Sequence, residues 1–110
     1  MAGPRPDWWY LTALCAGASA EVIGDVTDSR DELQWEGGND ECSALVSIRY
    51  LAQSPTMQGV LIQGVAGMRR AFGDSVTEIG PTALLREEDG AVFDPRNLRR
   101  IACPTLDRLG

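Results

Sequence analysis

The sequence contains no histidine and no lysine, and all ten of its basic residues are arginine. Without histidine the chain has no imidazole to act as a general base or to bind a metal ion. Without lysine it has no amine for a Schiff base and no P-loop lysine to contact a phosphate. These two absences exclude much of the usual enzyme repertoire.

Cysteine is scarce, and its spacing excludes two further kinds of site. The three cysteines, Cys15, Cys42 and Cys103, are far apart and form no CxxC pair, so zinc-knuckle and thioredoxin-like motifs are both missing. Cys103, beside Arg99 and Arg100, is the best candidate for an activated thiol, but no base is available to it. We therefore expect unreactive free thiols in a reducing compartment.

Long apolar runs are also missing, since none approaches the ~20 residues that span a bilayer. The run Trp8–Ala16, followed by Ala18-Ser19-Ala20, resembles a signal peptide, but Asp7 at its head and Gly17 near its end argue against one. We expect no membrane association and no secretion. The expected location is the cytoplasm, or a particle assembled there.

What the chain does contain is typical of one globular domain. It has 110 residues, of which 44% are hydrophobic and 24% charged, enough for a single core without staples. We expect one domain over 1–110, with an extended arm at 1–6 where two prolines stand, an acidic loop at 24–41 and a tail at 103–110.

Apolar periodicity predicts a mainly α fold, with three to four short helices around one core, and α+β is the alternative class. The best-supported helix starts at Ser54-Pro55-Thr56, a cap followed by proline, and stops at Gly73. The other three expected helices lie at about 7–23, 42–53 and 94–102.

Two of these segments allow a second interpretation. Residues 42–53 also alternate like a strand, through Ala44, Val46, Ile48 and Tyr50, but the acids just upstream favour a helix. The glycines of the 54–73 segment require either tight packing or a strand over Val60–Val65.

A small β-hairpin near 82–94, turning at Asp89-Gly90, competes with a short helix.

No motif indicates catalysis. Walker A, GxGxxG, GxSxG and HExxH patterns are all missing. A helix would place Asp28, Asp31 and Glu32 on one face, as paired catalytic carboxyls need. A general acid also needs a carboxyl of raised pKa, and a solvated acidic segment does not provide one. The spacing of these acids does not fit the EF-hand calcium-binding pattern either. We predict no catalytic residue, no cofactor and no metal site.

The charge map is the most informative signal. Residues 21–41 carry eight acids and one base, for a local charge of −7, whereas the C-terminal half is neutral and has three arginines on one expected helical face. Tryptophan and arginine are favoured anchors at protein contacts. The expected interaction residues are therefore Trp8, Trp9, Asp28, Asp31, Glu32, Trp35, Glu36, Arg96, Arg99 and Arg100.

These signals predict a non-catalytic protein–protein interaction domain, a small subunit or accessory factor of a larger bacterial or viral assembly. Its partner would be a protein, either a second copy or a different chain. The net charge of −6 argues against nucleic acid. Two alternatives stay open: an acidic inhibitor or mimic that occupies a basic site, and a small enzyme that depends on a carboxylate or a thiol.

Overall fold

The computed structural model describes residues 7–40, 43–95 and 101–102, with side chains over 7–37 and 43–95. Strands dominate this part of the chain, so the fold is α+β and the predicted mainly α fold is wrong. In chain order the elements are β1 (Asp7–Ala16), α1 (Ala20–Ser29), β2 (Leu33–Asp40), β3 (Ser43–Ala52), α2 (Met57–Phe72), a 3₁₀ turn (Gly73–Ser75), β4 (Glu78–Arg86), β5 (Val92–Phe93) and β6 (Ile101–Ala102).

All the strands belong to one antiparallel sheet. The strand order is β2-β3-β1-β4-β5, and the short β6 pairs with the other end of β4. A βαββαβ chain whose four main strands lie in the order 2-3-1-4 has the split-βαβ, or ferredoxin-like, topology. Both helices contribute to one core cluster with the buried residues of β1, β3 and β4.

Strand β1 occupies most of the segment predicted as a helix at 7–23, and that prediction is wrong. Its buried residues follow a period of two: Trp9, Leu11, Ala13 and Cys15 face the core. Leu11 and Leu14 are spaced as on one side of a helix, but here they point to opposite sides of the sheet. Hydrogen bonding to β3 on one side and to β4 on the other decides that the segment is a strand.

The turn that ends β1 depends on Gly17. This residue has a φ of 108°, and a Cβ placed on it would lie 2.7 Å from the backbone nitrogen of Thr77. Ser19 then caps α1, and its hydroxyl accepts a hydrogen bond from the Val22 amide at 3.3 Å.

The acidic segment 24–41 is not a loop, because its first part completes α1 and residues 33–40 form β2. The predicted helix at 42–53 is also wrong. Strand β3 pairs with β1 along all ten residues from Ser43 to Ala52. The alternating burial of Val46 and Ile48 therefore determines that this segment is a strand. The acidic residues upstream would stabilise a helix through its dipole, but they have this effect only if a helix forms.

Helix α2 confirms the predicted helix and its stop at Gly73, but the predicted cap at Ser54 with Pro55 as the first helical residue is wrong, because the helix begins at Met57. Its N-cap is Thr56, whose hydroxyl accepts from the Gly59 amide at 3.0 Å, and it ends at Gly73. Its glycines permit close packing on the sheet. A Cβ at Gly64 would lie 2.8 Å from the Tyr50 ring, so the strand alternative for this segment is wrong and tight packing explains the glycines.

The C-terminal region holds a short hairpin rather than a helix. Strands β4 and β5 pair around the turn at Gly90, which has a φ of 67°. The helix predicted over 94–102 is wrong at its end, because residues 101–102 form β6; residues 96–100 lie outside the described part. The predicted arm at 1–6 and tail at 103–110 lie outside it as well.

Candidate functional site

The two helices pack on one side of the sheet, and within the described residues neither covers the other side. We call this second side the open face. Strand alternation assigns its members, because the residues between the buried positions of each strand point away from the helices. They are Trp8, Tyr10, Thr12 and Leu14 of β1, Leu45, Ser47, Arg49 and Leu51 of β3, Ala83 and Leu85 of β4, Glu87 just beyond β4, and Val92 of β5.

Large apolar side chains on the open face are exposed to solvent. Trp8 is 41% exposed and its neighbour across the strand pair, Leu51, is 43% exposed. Val92, paired with Leu85, is 70% exposed. A contiguous apolar patch on one side of a sheet is typical of a binding surface, whereas scattered exposed hydrophobic residues are common everywhere.

The charges on the open face are paired with each other. The Arg49 guanidinium donates to both Glu87 carboxylate oxygens, from Nε at 2.9 Å and from Nη2 at 3.2 Å. It also lies 3.8 Å from the centroid of the Trp8 ring, in a cation–π contact. The hydrogen bonds to Glu87 raise the pKa of Arg49, so this cluster holds one fixed positive and one negative charge.

The hydroxyl groups at the middle of the open face also satisfy each other. Thr12 and Ser47 face each other across β1 and β3, and their oxygens are 2.7 Å apart. A polar group that already has a partner costs much less to remove from water than an unpaired one. The centre of the open face can therefore be covered without leaving these hydroxyls unsatisfied.

The edge of the sheet beside β3 is more polar. Gln34 of β2 lies opposite Ser47, and Glu36 follows on the same side; both are exposed. A surface that combines exposed apolar residues with a polar margin is the usual composition of a protein-binding surface.

The three tryptophans named from the sequence have different environments. Trp8 lies on the open face, whereas Trp9 is only 4% exposed and contacts Phe93 at a centroid distance of 5.4 Å. Trp35 is half-buried against the core. Adjacent residues point to opposite sides in a strand, so Trp8 and Trp9 diverge by far more than the roughly 100° that a helix would give.

The acidic residues named from the sequence do not form one surface. Asp28 lies on α1, Asp31 follows that helix, and Glu36 lies at the margin of the open face. Glu32 accepts a hydrogen bond from Arg30 at 3.1 Å. Its own backbone amide and then Arg30 lower the pKa of its carboxyl. The remaining candidates, Arg96, Arg99 and Arg100, lie outside the described residues.

Two of the molecule's clefts lie along α2. The larger of these, of about 560 Å³, is lined by Ile48, Tyr50, Arg30 and Arg70 among others, and it also reaches Arg49 and Leu51. Burial raises the pKa of Tyr50, and its hydroxyl donates to the Val60 carbonyl at 2.8 Å. This tyrosine therefore serves the packing of α2 on β3.

The smaller cleft, of about 310 Å³, runs beside the start of α2 and is lined by Trp9, Met57 and Arg86 among others. Arg86 donates to both carboxylate oxygens of Asp89, at 3.0 and 2.6 Å. These bonds, with one from the Ala91 amide, lower the pKa of Asp89 to about 2. Hydrogen bonds therefore hold both the Glu32 and the Asp89 carboxyls ionised, which is the opposite of what a general acid needs.

Sequence reasoning identified Trp8 and Glu36 but missed the apolar majority of the open face. The available signal was the alternation through residues 43–52, which places Leu45, Arg49 and Leu51 on one side once the segment is assigned as a strand.

Among the side chains of residues 7–37 and 43–95, no group of three metal-binding residues lies close enough to hold an ion. No described helix is long and apolar enough to cross a bilayer. Neither a protein-family model, nor a curated protein, nor a solved structure matches this chain. Its class is therefore given by the fold and the site: an α+β domain of ferredoxin-like topology with an uncovered apolar sheet face.

Proposed function

We propose that this chain is a non-catalytic protein-interaction domain, a small subunit or accessory factor, that binds its partner through the open face. The observation that carries the proposal is the exposure of three large apolar side chains on the open face, Trp8, Leu51 and Val92, which the two helices leave uncovered. Burying such a surface contributes roughly 25 cal/mol per Å² before the costs of association.

The polar groups on the open face support the same function. In both hydrogen-bonding clusters, Arg49 with Glu87 and Thr12 with Ser47, each side chain has a partner within the chain. A partner that covers the face would therefore leave none of these side chains without a hydrogen bond. Binding then depends chiefly on apolar complementarity toward the two ends of the face.

Aromatic sheet faces also stack nucleic-acid bases, but the charges of this face disfavour that use. Phosphate binding needs free cations. Among the described residues, Arg49 is the cation of the open face, and it is already paired with Glu87. With a net charge of −6, the chain as a whole would repel a polyanion.

Site-specific photocrosslinking in the native host tests this proposal. The photoreactive residue p-benzoylphenylalanine would replace Leu51 or Val92 on the open face, or Val22, an apolar residue of similar exposure (38%) on α1. We expect a discrete crosslinked protein species, with a second copy or another chain, from positions 51 and 92 but not from position 22. Crosslinks at all three positions alike, or at none, would contradict the proposal, as would a crosslink to RNA.

A further inference from the structure

We infer that the partner of the open face is a second copy of this chain, packed sheet against sheet around a two-fold axis. This inference rests on the proposed function and adds the identity of the partner. The strand lengths, the distribution of charge and the arrangement of apolar residues each support it.

The size of the open face meets what a stable dimer needs. Strands β1 and β3 each have ten residues, and the face extends across β3, β1, β4 and the short β5. The margin strand β2 adds eight residues, so the five strands together have 39 residues. At about 3.3 Å along each strand and about 4.8 Å between strands, the plan area is roughly 620 Å². Two copies would bury about 1,250 Å² together, within the range of about 1,200–2,000 Å² for specific interfaces.

The charge distribution favours a neutral partner surface, and a second copy supplies one. Near the Trp8 end of the open face, the charged residues Arg49 and Glu87 neutralise each other, and Glu36 and Glu78 lie at the margins. Most acids of this strongly acidic chain lie elsewhere, including those on α1. Two open faces can therefore meet without bringing net charge together, although the rest of each molecule repels its copy.

The apolar residues lie at both ends of the open face, with hydroxyl groups between them. Trp8 pairs with Leu51 at one end, Leu14 pairs with Leu45 toward the other, and the Thr12–Ser47 pair lies midway. A two-fold axis near this central pair, perpendicular to the strands, would place the Trp8 end of one copy on the Leu14 end of the other. Each contact would then occur twice, as an isologous interface requires.

Light scattering after size exclusion, combined with sedimentation equilibrium, tests this inference on the purified full chain. We expect a species of twice the 11.9 kDa monomer mass. The dimer should persist in high salt, because apolar contact is not screened. Leu51→Glu should weaken association at least about tenfold, whereas the matched variant Val22→Glu, on α1, should dimerise like the wild type. Val92→Glu replaces Leu51→Glu if that variant fails to fold.

Three results would overturn the inference: a wild-type monomer at about 100 μM, far above the Kd of ordinary specific dimers; a dimer that both open-face variants leave intact; or a dimer that dissociates in high salt. A purified monomer whose position 51 crosslinks to another protein in cells would refute self-association and leave the proposed function standing. Loss of open-face crosslinks altogether would refute both.

Discussion

The Arg49 guanidinium lies 3.8 Å from the centre of the Trp8 ring and at the same time makes two hydrogen bonds to Glu87. These three residues come from β3, β1 and the end of β4, so the cluster joins three elements across the open face. The Glu87 amide also donates to the Trp8 carbonyl at 2.9 Å. Arg49 therefore both covers Trp8 and neutralises Glu87.

Replacing Arg49 with methionine is the first prediction. Methionine keeps apolar volume over Trp8 but leaves the Glu87 carboxylate unpaired, and covering an unpaired charge is costly. Arg49→Met should reduce the association constant by more than about tenfold, and adding Glu87→Gln should restore most of it. Sedimentation equilibrium measures both variants. The control Arg70→Met, on α2 and away from the open face, should leave the association constant unchanged. Equal losses of association in the single and double variants would contradict the argument.

Two helical glycines should respond oppositely to substitution by alanine. A Cβ at Gly64 would lie 2.8 Å from the Tyr50 ring, whose hydroxyl is fixed by the Val60 carbonyl. Gly64→Ala should therefore destabilise the fold by about 1–3 kcal/mol. A Cβ at Gly24 would point into open space, so Gly24→Ala should stabilise α1 by about 0.5–1 kcal/mol. Urea denaturation measures both, and a stabilised Gly64→Ala variant would refute the close contact.

The Asp89 carboxylate should make stability depend on pH in acid. Its pKa is lowered from 3.8 to about 2 by Arg86 and the Ala91 amide. A group whose folded pKa is depressed stabilises the fold above its unfolded pKa, and this contribution is lost as the pH falls from about 4 to about 2. Asp89→Asn should therefore be less stable than the wild type at neutral pH, and the difference should shrink across that range.

Urea midpoints at low ionic strength between about pH 7 and 2 would measure this difference. Arg86→Gln should remove the same pH-dependent contribution to the free energy of unfolding, because Arg86 is the largest cause of the lowered pKa of Asp89. A difference between wild type and Asp89→Asn that stays constant with pH would contradict the ion pair.

The Cys15 thiol should be unreactive in the folded chain. Cys15 is fully buried, and its Sγ lies 3.6 Å from the Met68 Sδ, between β1 and α2. Reaction with a thiol reagent requires local or global opening. In a Cys42→Ser/Cys103→Ser variant, we expect labelling at least about 100-fold slower than in urea. A native rate close to that in urea would mean that Cys15 is accessible.

The sequence predicts elements that are defined locally and misses those defined by distant partners. Helix α2 carries its own start at Thr56 and its own stop at Gly73. Strand β1 carries no comparable signal, because its pairing partners in β3 and β4 lie far along the chain. The same limit applies to the site: Leu14 and Leu51 become a surface only when both helices occupy the opposite side of the sheet.

Trp8 and Trp9 are separated by one peptide bond, yet one lies on the open face and the other in the core. Because the strand directs successive side chains to opposite sides, mutations can accumulate at position 8 while position 9 is retained for packing. Selection on recognition and selection on folding can therefore act on neighbouring codons with little interference. A chain of this size can thus acquire a new partner without rebuilding its interior.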